Sequence, residues 1–185
     1  MKRSTKAVLA VLFGVFALLT GGSVVASAAP AAEQQVSYER FGPFELRNFN
    51  SGKCLEAPDW STANGARMQQ WTCVGANSQK WWYDVVISGE VQIIQLVNVH
   101  SGKCLEVADW RTDNGAPVQQ WDCAGIPSQR WINYGTCWTC EDPGSRLVNE
   151  HSGKLLEIED SYTYNGARAQ QWDGAGVRTQ VWFFR

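Results

Sequence analysis

Histidine and methionine occur twice each in this 185-residue chain, charged residues make up 18% of it, and 16 Lys and Arg face 18 Asp and Glu. A formal charge of −2 excludes the strongly basic surface that nucleic-acid or anionic-membrane binding needs. His100 and His151 follow no metal-ligand spacing and stand where the first repeat has Asn50, so they read as turn residues. No nucleophile elbow, phosphate loop or HExxH motif is present. The chain is therefore not expected to be an enzyme, and no metal or cofactor is implied. Apolar residues at helical spacing are missing beyond residue 41, which argues against helices.

The one long apolar run lies at the start. Residues 1–28 combine a basic opening (Lys2, Arg3, Lys6), an apolar stretch from Ala7 to Leu19 and the small-residue end Ala26-Ser27-Ala28. This predicts a secretory signal cut after Ala28, because Gly21-Gly22 and the A-x-A site interrupt a run that could otherwise anchor the chain. No Cys follows at a lipid-attachment distance. Loss of the three basic residues would leave a charge of about −5. Residues 29–40 read as a flexible N-terminal segment. The expectation is a secreted monomer without membrane insertion, in a compartment where its six cysteines can oxidise.

Against these absences stand ten Trp and a 44% hydrophobic content, enough for one folded domain. The chain repeats itself three times. Asn48-Phe49-Asn50-Ser51-Gly52-Lys53-Cys54-Leu55-Glu56 returns at Asn98 to Glu106 and again at Asn149 to Glu157; Gln69-Gln70-Trp71 returns at Gln119 and Gln170; Gln79-Lys80-Trp81 returns at Gln129 and Gln180. Asn-Gly and Ser-Gly punctuate short apolar runs that read as four strands per unit, near 44–48, 53–57, 67–73 and 79–85 in the first. Three such units are too few for a propeller ring. They can close instead on a pseudo-threefold axis as an all-β, twelve-stranded β-trefoil, with units at about 41–88, 89–138 and 139–185.

With its three Gln-x-Trp registers and its Cys-Leu-acid motif, the chain from 41 to 185 resembles the ricin B-type lectins. The resemblance implies a carbohydrate-binding module with glycans or polysaccharide as partners. It also implies three pockets made of Glu56, Trp71 and Gln79, of Glu106, Trp121 and Gln129, and of Glu157, Trp172 and Gln180. The family's usual Asp is Glu here, and its usual Asn is Ser78, Ser128 or Thr179. Glu is longer by one methylene, about 1.5 Å, which would push a hexose outward or select a different one.

Strand parity supports the acid and the ring independently. Cys54 and Cys73, like Cys104 and Cys123, are 19 positions apart on neighbouring strands, and both partners are replaced in the third unit by Leu155 and Gly174. Bridges within these pairs would place Glu56 and Trp71 on one outer face. A sugar needs both groups: a flat apolar surface, and a carboxylate to accept from two hydroxyls. The third pocket lacks the bridge and is expected to contribute least. Cys137 and Cys140, outside the repeat, are expected to form a local disulfide. Asp59 with Trp60, Asp109 with Trp110, and Asp160 with Tyr162 are candidates for a second wall. Trp81, Trp131 and Trp182 are assigned to the core. Gln70, Gln120 and Gln171 fall on the inward face, where an amide is costly unless hydrogen-bonded. A protein-binding trefoil with silent pockets, such as an inhibitor or toxin-associated subunit, is the alternative. Glycoside hydrolysis would need two carboxylates across one bond, which threefold repetition of a single acid does not suggest.

Overall fold

The computed structural model describes residues 39–87, 92–135 and 144–185. The leader, residues 29–38, Cys137 with Cys140 and the two unit boundaries lie outside the described residues. Twelve strands follow in order: β1 Glu39–Asn48, β2 Cys54–Glu56, β3 Gln69–Trp71, β4 Lys80–Ile87, β5 Gln92–Asn98, β6 Cys104–Val107, β7 Val118–Trp121, β8 Trp131–Tyr134, β9 Arg146–Asn149, β10 Leu155–Ile158, β11 Ala169–Trp172 and β12 Trp182–Phe184. Among the described residues no helix is long and apolar enough to cross a membrane.

Six strands form a barrel through the antiparallel pairs β1–β4, β4–β5, β5–β8, β8–β9 and β1–β12. It closes between Ser145 and Trp182, whose backbones exchange bonds of 2.8 and 2.9 Å. The remaining strands form the hairpins β2–β3, β6–β7 and β10–β11. This is the β-trefoil expected from the repeats.

Alternation along each strand decides the core. Leu46, Leu55, Leu105 and Leu156 face inward with Trp81, Trp131 and Trp182, all fully buried. Each Trp indole donates to the carbonyl of the inward Leu of its own repeat: Leu55 at 3.1 Å, Leu105 at 3.1 Å and Leu156 at 3.0 Å. The ring therefore fills volume without burying an unpaired N–H.

The inward glutamines join the repeats. Gln70 accepts from the Ser51 hydroxyl at 2.6 Å and donates to the carbonyls of Tyr162 and Tyr164 at 2.8 and 3.1 Å. Gln120 does the same with Ser101, Ser61 and Ala63, and Gln171 with Ser152, Arg111 and Asp113. Repeat two thus holds the loop of repeat one, three holds two, and one holds three. Backbone bonds follow the same cycle, from Gln120 N to Ala66 O, Gln171 N to Ala116 O and Gln70 N to Ala167 O.

The burial of these rings yields a stability ranking. Trp131→Ala is expected to cost about 3–5 kcal/mol, because it opens a cavity and leaves the Leu105 carbonyl unpaired. Trp121→Ala, at a residue 41% exposed, should cost much less. Denaturant unfolding of the two variants checks the order, and a reversed order would refute the parity assignment of the rings.

Candidate functional site

In the β2–β3 register Cys54 stands opposite Trp71, and Glu56 opposite Gln69. The Cys54–Cys73 and Cys104–Cys123 bridges form, with Cα separations of 5.2 and 5.1 Å. Glu56 is nearly buried, yet it lines a cavity of about 200 Å³ together with Asp59, Trp60, Gln69 and Trp71. A cavity of about 190 Å³ in the third repeat has Glu157, Asp160, Ser161, Gln170 and Trp172 on its walls. Trp71, Trp121 and Trp172 are 40%, 41% and 39% exposed, so each presents a ring face to solvent beside its acid.

Two glutamines hold each carboxylate. Gln69 Nε2 donates to Glu56 Oε1 at 2.9 Å, and Gln79 Nε2 donates to Oε2 at 2.8 Å. The second repeat repeats this with Gln119 at 3.0 Å and Gln129 at 2.6 Å on Glu106, and the third with Gln170 at 3.1 Å and Gln180 at 2.5 Å on Glu157. An ionised carboxylate has about four acceptor positions, so each oxygen retains one. The acid is oriented before any ligand arrives and can still accept from two neighbouring hydroxyls.

The roles of the glutamines differ from the sequence expectation. Gln79, Gln129 and Gln180 are fully buried. The second amide hydrogen of Gln79 goes to the Thr72 carbonyl at 2.9 Å, and its oxygen accepts from Val74 N at 2.8 Å. It sits beneath the carboxylate as a positioning residue, with both hydrogens spent. The glutamine that reaches the cavity is Gln69, or Gln170 in the third repeat. Gln69 carried no role in the sequence reading; its spacing of two residues from Trp71, which puts both on one strand face, was the available signal.

The second wall is built from strained backbone. Asp59 and Trp60 both have positive φ, 51° and 54°, as do Asp109 and Trp110 (54° and 54°) and Asp160 and Ser161 (50° and 55°). Consecutive left-handed non-glycine residues are costly and persist only where their surroundings impose them. The next repeat supplies part of that constraint. The His100 ring bonds the Trp60 carbonyl through Nε2 at 3.0 Å and lies edge-on to the Trp60 indole, and His151 does the same to Trp110 at 3.2 Å. Asn50 donates to the Ser161 carbonyl at 3.2 Å. The third wall position is thus Ser161, not Tyr162, whose ring lies against Tyr164 with centroids 4.8 Å apart. At the 51-residue offset of the third register the counterpart of Trp110 is Ser161, and Tyr162 lies one position beyond it.

The missing bridge leaves the third acid and ring in place: Leu155 fills the space, and its side chain lies close to Gly174. What distinguishes that pocket is its Ser wall. Burial pushes the Glu157 carboxyl above its usual value, against the pull of the Gln170 and Gln180 amides, and the nearby Asp160 adds to the rise.

The family description for ricin-type β-trefoil lectin-like domains matches residues 33–121, 87–136 and 127–185. The chain belongs to this family. The designed threefold-symmetric protein ThreeFoil is 33% identical with a TM-score of 0.70, over 78% of this chain and 98% of that one. The structure of 1,3Gal43A, an exo-β-1,3-galactanase from Clostridium thermocellum, is 33% identical with a TM-score of 0.68, over 77% of this chain but 29% of the galactanase. Serine protease 1 of Rarobacter faecitabidus is 39% identical over 41 residues, which is 22% of this chain and 8% of the protease. The lectin-like trefoil fold supports a carbohydrate-binding module, and the two bridges among the described residues fit an oxidising, extracellular compartment.

Two measurements test this site. Gln129→Met leaves Ala124 N–H, the Asp122 carbonyl and one oxygen of Glu106 without their partner, and should cost about 1–3 kcal/mol in denaturant unfolding; an unchanged stability would mean that the amide is not the carboxylate's anchor. The raised carboxyl of Glu157 means that the folded state takes up a proton there at higher pH than the unfolded chain. Its ionisation therefore subtracts stability as pH rises through the folded value, and that penalty is absent at lower pH. Side-chain carbon NMR should find Glu157 titrating above an ordinary glutamate, and a value below that range would contradict the burial argument.

Proposed function

We propose that this chain is a secreted, non-enzymatic carbohydrate-binding module with up to three pockets, one per repeat, that recognise glycan or polysaccharide. One observation carries the reading: in every repeat an exposed Trp stands beside a carboxylate that two amides hold with an acceptor position open on each oxygen. The ring takes the C–H face of a sugar, and the acid accepts from two adjacent hydroxyls. Repetition favours binding over catalysis, which needs a second, different group across the bond that breaks.

The cavities of the first and third repeats are small, about 200 and 190 Å³, so a single sugar residue should bind on the order of millimolar. Affinity for polysaccharide then comes from occupying several pockets at once. Trp60 and Trp110 make the first two pockets two-walled; Ser161 leaves the third open on one side.

A glycan array with the mature protein identifies the ligand class, and calorimetry on Glu56→Ala, Glu106→Ala and Glu157→Ala then apportions the pockets. The first two substitutions are expected to weaken binding at least tenfold per site, about 1.4 kcal/mol, and Glu157→Ala less. Unchanged binding in all three variants would favour the protein-binding trefoil instead.

A further inference from the structure

A second concavity lies across the Cys104–Cys123 bridge from Glu106 and Trp121. It is a cleft of about 480 Å³ against the outer wall of the barrel. A single cross-strand row forms its floor: Arg40 of β1 pairs with Asp84 of β4, and Asp84 with Gln95 of β5. The inward residues Tyr83, Val85, Ile94 and Leu96 belong to the core, so Asp84 and Gln95 face outward. Both are nevertheless buried at 6% exposure, which is unusual for polar groups on a barrel exterior.

Arg40 donates from Nε to Asp84 Oδ1 and from Nη2 to Oδ2, both at 2.6 Å. The charges cancel, and each carboxylate oxygen keeps an acceptor position. The Gln95 amide donates to Cys104 Sγ at 3.7 Å, a weak acceptor. Val97 and Ala124 line the cleft with apolar surface, and Gly102 and Gly125 with bare backbone.

Comparison of the repeats explains why the cleft is open here. Gln95 and Val97 stand where the first repeat has Glu45 and Arg47. Those two form an ion pair at 2.6 Å, and the Glu45 carboxylate lies within 4.8 Å of both sulfurs of the first bridge. Asp84 has no acidic counterpart, its equivalents being Tyr134 and Arg185.

The geometry points to a second saccharide subsite in this cleft, adjoining the second pocket, so that the second repeat takes an oligosaccharide of at least two residues. A neutralised ion pair with spare acceptors, an underused amide and apolar walls suit a neutral polyol better than an anion or a purely apolar ligand. Continuity with the pocket follows from β6, on which Cys104 and Glu106 are two residues apart, about 7 Å. Ala124 is the shared rim: it lines the cleft, while its counterparts Val74 and Ala175 line the pockets of the other repeats. This inference rests on the carbohydrate reading above.

The test is an NMR and calorimetric titration with galactose, glucose, xylose and mannose, then with β-1,3-galactotriose, cellotriose, xylotriose and mannotriose. The preferred monosaccharide should shift the Trp121 indole signal. Its trisaccharide should shift the Gly102 and Gly125 amides as well and bind the second repeat at least about fivefold tighter, roughly 1 kcal/mol. The double variant Gln95→Glu/Val97→Arg copies the first repeat's ion pair into the second and so should fold; it is expected to abolish the trisaccharide gain and leave monosaccharide affinity unchanged. Gln95→Ala should reduce the gain in the same direction. A trisaccharide that moves Trp121 but neither glycine, or a gain that survives the double variant, overturns the subsite and leaves the sugar reading standing. No shift at Trp121 or at the glycines with any of the eight sugars overturns both.

Discussion

Each repeat buries a glutamine amide that it cannot satisfy alone. Gln70, Gln120 and Gln171 lie fully inside, and both hydrogens of each go to carbonyls of a loop in the neighbouring repeat. An unpaired buried amide costs several times what an average hydrogen bond contributes net. One repeat by itself, or an open row of repeats, would leave at least one such debt. Only the closed cycle of three satisfies every member, so the polar interior specifies the threefold closure while the Trp and Leu side chains supply its bulk.

The same closure builds the pockets. The loop from Ser61 to Ala63 is fastened by Gln120, and the strained residue before it, Trp60, by His100. Both fasteners come from the second repeat, while the acid and ring they face come from the first. The lining of the first and third cavities each comes from a single repeat, but the wall loop of each is braced from the repeat that packs against it. This makes sense of two consecutive residues in the left-handed region, since an isolated loop would relax out of that conformation.

The repeats share a frame and differ in detail. Wall and buttress change together: Trp with His in the first two pockets, Ser161 with Asn50 in the third. The bridge is lost as a pair, with Leu155 and Gly174 packing in its place. On the barrel exterior Glu45 and Arg47 pair with each other, whereas Gln95 and Val97 leave open space. A threefold frame tolerates such changes because none of them replaces a ring-closing glutamine, and those amides donate to backbone carbonyls, which a side-chain change does not remove.

Much of this was legible from the residues alone. Strand parity has a period of two and needs no knowledge of neighbours, so the inward Trp and Leu, the outward acid and ring, and both disulfide pairs could be read directly from spacing. The repetition of those features implied the trefoil. Other facts depended on contacts between separate elements, at sequence separations from 5 to 111, which no local period encodes. Tertiary structure alone decided that Gln79 is spent beneath the acid while Gln69 reaches the pocket, that His100 braces a loop of another repeat, that Ser161 replaces Tyr162 as a wall, and that Arg40, Asp84 and Gln95 meet in one row. The physical reason is that parity fixes which face a side chain takes, but a hydrogen-bonding group's partner is whatever the closed fold brings within 3 Å of it.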